Sequence, residues 1–341
     1  MNRFLTLVKV ELTRLRARRA ILLILAAAIL VPLVIAFFVA IDTRPASDAD
    51  VAAAERQIAD DPFYERQVRR CIEKPQRYGI APDVRDDADA LEAACVDSNI
   101  PTVEDYLYSP VLDLDDEREY NSGLAVVTIL GVLMFLAGTT FAGHDWSTGS
   151  MSNQLLFEPR RLRIWAAKAL AVLVTAGVLS AVVLTAYWLG LYTLTQSRDL
   201  AVREGALLDC LQQGWRGAGV AAAAALGGYA LTMLSRSTVF SLGLLFGVSV
   251  AGGLLLATVG PEDPGWLDPT INAQAVISDG ATYYVDVPDS CYSGRGGFDQ
   301  DDPRCVNQRE RSLTQGLTYY GILLGAAAVA SAGSFRRRDV P

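Results

Sequence analysis

At 341 residues, the chain is 51% hydrophobic and 20% charged, below the roughly 25% charge of an ordinary soluble domain. Long runs carry no charge at all, which argues against a wholly soluble fold. The net charge of −8 gives no footprint for a nucleic-acid partner, and it hides basic segments set against acidic loops. Lys9, Lys74 and Lys168 are the only lysines, so nearly all positive charge is arginine, a bias that suggests a high-GC bacterial genome.

In chain order, residues 1–19 read as a basic amphipathic helix lying along the inner membrane surface. Thr6, Lys9, Thr13 and Arg16 share one face, and Phe4, Val8, Leu12 and Leu15 share another. A helical extension of the first span is the other reading. A membrane-crossing helix needs about 20 apolar residues, because the hydrocarbon core is about 30 Å thick. Six stretches free of Asp, Glu, Lys, Arg and His meet that need: 20–41, 123–143, 169–195, 217–234, 238–259 and 316–335. The first is longer than the roughly 7–15 residues of a signal-peptide core, so it reads as a retained span. The fourth is rich in Ala and Gly. The expected fold is an all-α membrane protein with six transmembrane helices.

The connections alternate in charge. Basic residues crowd 1–19, the segment 144–168, the turn at Arg236 and the tail 336–341, all of which fall on one side when the spans are even in number. Short cytoplasmic segments collect Arg and Lys, so both termini are expected in the cytoplasm of a multi-pass protein of the bacterial plasma membrane. The loops 42–122, 196–216 and 260–315 fall outside. The first is acidic, with clusters at Asp86, Asp87 and Asp89 and from Asp113 to Glu119, and has helical spacing over 51–74 and again over 88–95. It reads as a mostly helical insertion. The stretch 288–303 reads as irregular.

All five cysteines lie in these outer loops, as disulfides in an oxidising compartment would. The simplest pairing is Cys71 with Cys95 and Cys291 with Cys305, leaving Cys210 odd; pairs between loops remain open. Small residues recur every four positions at Gly219, Ala223 and Gly227, at Gly243 and Gly247, and at Gly321 and Gly325. That spacing lets helix backbones approach closely, within the chain or across a dimer.

The segment 144–168 carries the most information. It opens with Asp145 and Trp146 at a span end, continues through Gly149 and Ser150 into an amphipathic stretch at 151–157, and breaks at Pro159 before Arg160, Arg161, Arg163 and Lys168. Proline ends a helix, and the basic residues pin the segment at the head groups. An ordinary basic loop is the plainer reading. This segment resembles the permease subunits of type-2 ABC exporters, which carry an acid, an aromatic, Gly-Thr, a Leu-Leu pair, Pro-x-Arg and a Lys entering the next span. The matching positions are Asp145, Trp146, Gly149 with Ser150, Leu155 with Leu156, Pro159 with Arg161, and Lys168. Asp for the usual Glu and Ser for Thr are departures.

The resemblance implies a homo- or heterodimeric permease whose 151–157 region couples to a cytoplasmic ABC ATPase. No G-x-x-x-x-G-K-[ST] occurs, so ATP is expected to act through that partner rather than this chain. His144 is the only histidine, and no catalytic, cofactor-binding or metal set is read. A scaffold or sensor presenting an acidic outer cap is the alternative.

Overall fold

The computed structural model describes residues 3–107, 111–259, 264–285, 287, 291 and 305–337. The stretch 288–303, apart from Cys291, and the end of the basic tail lie outside the described residues. In chain order the helices are α1 (Arg3–Ala17), α2 (Arg19–Asp42), α3 (Asp48–Asp60), α4 (Pro62–Glu73), α5 (Ala88–Asn99), α6 (Val103–Leu107), α7 (Leu114–Glu119) and α8 (Ser122–Ser147). They continue as α9 (Ser150–Phe157), α10 (Arg161–Ser197), α11 (Ala206–Ser235), α12 (Thr238–Val259), α13 (Pro269–Ser278) and α14 (Leu313–Arg337). Strands β1 (Ala281–Tyr284) and β2 (Gln308–Arg311) pair antiparallel, with Ala281 opposite Arg311.

The chain is therefore mostly helical but not purely so, because the two strands form a short ribbon in the loop before the last helix. Among the described residues, five stretches are long and apolar enough to cross a bilayer: Arg19–Asp42, Leu114–Ser147, Arg161–Ser197, Ala206–Ser235 and Leu313–Arg337. That is the architecture of a multi-pass membrane protein. The stretch matching the expected span 238–259 is apolar over Thr238–Gly252, shorter than the other five.

Two compact units are present: Met1–Phe37 with Asp113–Pro341, and Phe38–Leu112. In the first, α11 is the hub and packs against α8, α10, α13 and α14. Its Ala- and Gly-rich sequence explains the position. A Cβ on Gly138 of α8 would stand 2.1 Å from the Ala225 carbonyl oxygen, and one on Gly228 would stand 2.4 Å from that of Phe135. These glycines bring the α8 and α11 backbones together. The glycines singled out by four-residue spacing behave differently, since a Cβ on Gly219, Gly243, Gly247, Gly321 or Gly325 would meet nothing within 4 Å. Among the described residues no close approach is made at those five; Gly227 of that set touches Leu324 of α14.

At the end of the bundle where α7 leads into α8, the acidic residues are tied down. Asp113 caps α7 by accepting from the Asp115 and Asp116 amides. Both Asp115 oxygens accept from Arg203 at 2.9 Å, and Arg203 also reaches Asp209 at 2.6 Å. Cys210 is free and buried. A disulfide joins Cys291 to Cys305.

The second unit is a small helical insertion. Ser47 and Asp50 form a capping box at the start of α3, and the Ser47 hydroxyl and amide hold the Asp50 carboxyl below its ordinary pKa. The helical spacing read across 51–74 is split at Asp61, whose side chain caps α4 ahead of Pro62. The 88–95 helix is α5, capped by Asp87. One buried cluster of the insertion is Cys71, Ile80 and Cys95, and Cys71 is bonded to Cys95. Phe63 of α4 is half exposed.

Candidate functional site

The candidate site forms where α1, α8, α9 and α10 meet. On α1 the apolar stripe of Val8 and Leu15 is buried, and Glu11 is buried with them. The three lie at i, i+3 and i+7, one face of a helix. That face packs on α10 and brings Glu11 to Lys168, whose ammonium lies 2.8 Å from Glu11 Oε2 and 2.5 Å from Asp145 Oδ2. Lys168 and Asp145 are both fully buried. The chain breaks its helix at Arg18, between α1 and α2. Arg18 donates to the other Asp145 oxygen and, at 2.6 Å, to the Phe141 carbonyl.

The Phe141 ring serves both cations. The Arg18 guanidinium stands 4.8 Å and the Lys168 ammonium 5.0 Å from its centroid, a cation–π arrangement that steadies desolvated charge. Arg14 approaches Glu11 at 3.3 Å and Asp145 at 3.9 Å, and donates to the Ser150 hydroxyl. Three cations thus face two carboxylates. Buried charge is tolerated when it is paired and hydrogen-bonded, and each carboxylate here has more than one donor.

From this base hangs α9. Gly149 adopts φ 67° at its start, a left-handed conformation open to glycine at little cost. The Ser150 hydroxyl accepts from Arg14 and Met151 is buried, so the first turn is held. Glu158 ends the helix in an extended conformation, as a residue before proline prefers. Leu155 is half-buried, whereas Leu156 is 81% and Phe157 90% exposed. A helix anchored at one end therefore presents an apolar tip.

The other expected residues flank this arrangement. The Trp146 ring lies under the Arg236 guanidinium at 4.6 Å and meets the edge of Phe335 at 6.2 Å. Arg161 donates to the carbonyls of Phe335 and Arg336 at 3.4 and 3.5 Å. Trp165 donates to Ser331 at 3.0 Å. The four basic segments are thereby gathered at one end of the bundle. Pro159 and Gly149 are exposed and serve as the two stops of α9.

Of the eight expected positions, the cluster takes Asp145 and Lys168; Gly149, Leu155, Leu156 and Pro159 form or bound α9, and Trp146 and Arg161 contact Arg236 and the end of α14. Glu11, Arg14, Arg18 and Phe141 were not among them. One signal for Glu11 was present in the sequence: an acid in phase with Val8 and Leu15 on the apolar face of a basic helix.

No family model, curated protein or solved structure matches the chain.

Proposed function

We propose that the chain is the membrane-spanning permease subunit of an ATP-driven exporter, coupled through α9 to a separate cytoplasmic ABC ATPase and working beside a second permease copy. In this reading α12 supplies a sixth span, and both termini lie in the cytoplasm of a bacterial cell. The gathering of basic segments at one end of the bundle supports that orientation.

The observation that carries the reading is the exposed Leu156–Phe157 tip on a helix whose base is tied into the ion cluster. An apolar tip beyond the membrane-spanning part calls for a protein partner. A push on it passes through Ser150 and Arg14 into α1 and through Asp145 and Lys168 into α8 and α10. Motion at a soluble engine then becomes motion of spans, which a permease without its own nucleotide site requires.

The test is purification of the tagged chain from its native membrane in mild detergent, with ATP hydrolysis measured on what accompanies it. The wild type brings down an ATPase, and Phe157→Asp loses it while melting at the same temperature. A wild-type chain without an accompanying ATPase, or a Phe157→Asp chain that retains it, overturns the assignment. The first outcome favours a membrane scaffold.

A further inference from the structure

A second feature lies where α13 and the β1–β2 ribbon meet the first turns of α14. A cavity of about 440 Å³ opens there, within the roughly 300–1,000 Å³ typical of small-ligand sites. Its wall changes character along its length. Arg311, Thr314 and Gln315 stand at one end; Trp266, Ile322 and Leu323 continue it along the apolar helix. Among the described residues, Arg311 is the charged side chain in the wall.

The polar end is built rather than incidental. Asn272 is fully buried and donates to the carbonyls of Gly265, Trp266 and Asp268 at 3.2, 3.4 and 2.8 Å. Its own side-chain oxygen accepts from Arg311 Nε at 3.1 Å. This bond fixes the guanidinium through one nitrogen. α13 also backs closely onto α14, where a Cβ on Gly316 would stand 2.7 Å from the Asn272 carbonyl oxygen. The positive end of the α14 dipole adds to the field of Arg311 at the same place.

We propose that this cavity binds an anionic phospholipid, its phosphate at Arg311 and one acyl chain along Ile322 and Leu323. Charge complementarity selects the headgroup, since a basic pocket beside membrane helices attracts anionic lipid. The open side of the cavity selects a membrane-borne ligand, because Ile322 is 67% and Leu323 49% exposed on a helix long and apolar enough to lie in the bilayer. Trp266, half exposed at the cavity, is placed as an interfacial indole would be. The inference needs α14 in the membrane but does not depend on the exporter reading.

The experiment reconstitutes the full chain in nanodiscs of mixed phosphatidylglycerol and phosphatidylcholine, releases it, and counts retained lipids by native mass spectrometry. The wild type keeps one more phosphatidylglycerol than phosphatidylcholine, and Arg311→Gln weakens that preference about fivefold, the effect of removing one cation near anionic lipid. Thr314→Glu sets a carboxylate at the exposed lip, leaves the Arg311–Asn272 bond in place, and produces the same loss if Arg311→Gln fails to fold. Equal retention of the two lipids by the wild type, a Thr314→Glu chain that keeps the preference, or displacement of the bound lipid by inorganic phosphate alone would overturn the proposal.

Discussion

Lys168 sits in complete burial between Glu11 and Asp145, so its removal differs in kind from the loss of a surface charge. Deleting one member of a buried ion group leaves its partners desolvated and unpaired, at a cost of about 3–5 kcal/mol. Lys168→Ala is therefore expected to lower stability by that order in heat unfolding followed by circular dichroism. Arg14→Ala, which removes a partly exposed partner, is expected to cost about 1 kcal/mol or less. Equal effects would mean that the cluster does not concentrate its stabilisation at Lys168. The sequence made Asp145 and Lys168 legible because they bracket one continuous segment with recognisable residue types. Glu11 was not legible as a partner, since it lies 157 positions from Lys168 and periodicity within one helix carries no information about a contact that distant.

At the scale of elements, boundaries set by local chemistry were readable, and helix placement was not. α9 could be bounded from Gly149 and Pro159, whose backbone preferences act within a few residues. α11 could not be placed at the centre, because Ala and Gly make it the least apolar of the first four long stretches while the structure buries it most deeply. α2 is the most apolar of the five and keeps little of its surface covered by protein. In lipid the rule familiar from water weakens, since Leu gains nothing from leaving hydrocarbon and small residues decide which helices touch. Gly138→Ala should therefore destabilise by about 1–3 kcal/mol, since a methyl group would overpack a backbone contact. Gly321→Ala meets open space and should be neutral or stabilising by up to about 1 kcal/mol. Unfolding of both variants in denaturing detergent checks the contrast. The β ribbon escaped sequence reading because β2 reads Gln-Arg-Glu-Arg, with neither β-branched nor aromatic residues to announce a strand; its partner β1 and the nearby Cys305 place it.

For the whole molecule, the insertion and the bundle depend on different forces. Around α4 and α5 the insertion packs a cluster of Cys71, Ile80 and Cys95, two of them joined by a disulfide. Domains this small usually need such a cross-link. Cys71→Ser with Cys95→Ser removes a loop closure spanning 24 positions, worth about 3 kcal/mol. The expected outcome is trypsin cleavage within α4, at Arg66, Arg69 and Arg70, and at Arg77 and Arg85 before α5, while the long helices of the bundle stay protected; simultaneous loss of both would show that they unfold as one. The within-loop pairing could be read from nearness in sequence, whereas the surrounding cluster could not, because its side chains come from separate short helices and turns. The bundle instead takes its first span from a single unwound position, Arg18, whose guanidinium is gripped by Asp145 and the Phe141 carbonyl. An alanine slipped in after Thr13 would turn Glu11 by about 100° relative to Arg18, so the leading helix could keep its knee or its foothold on Lys168, but not both.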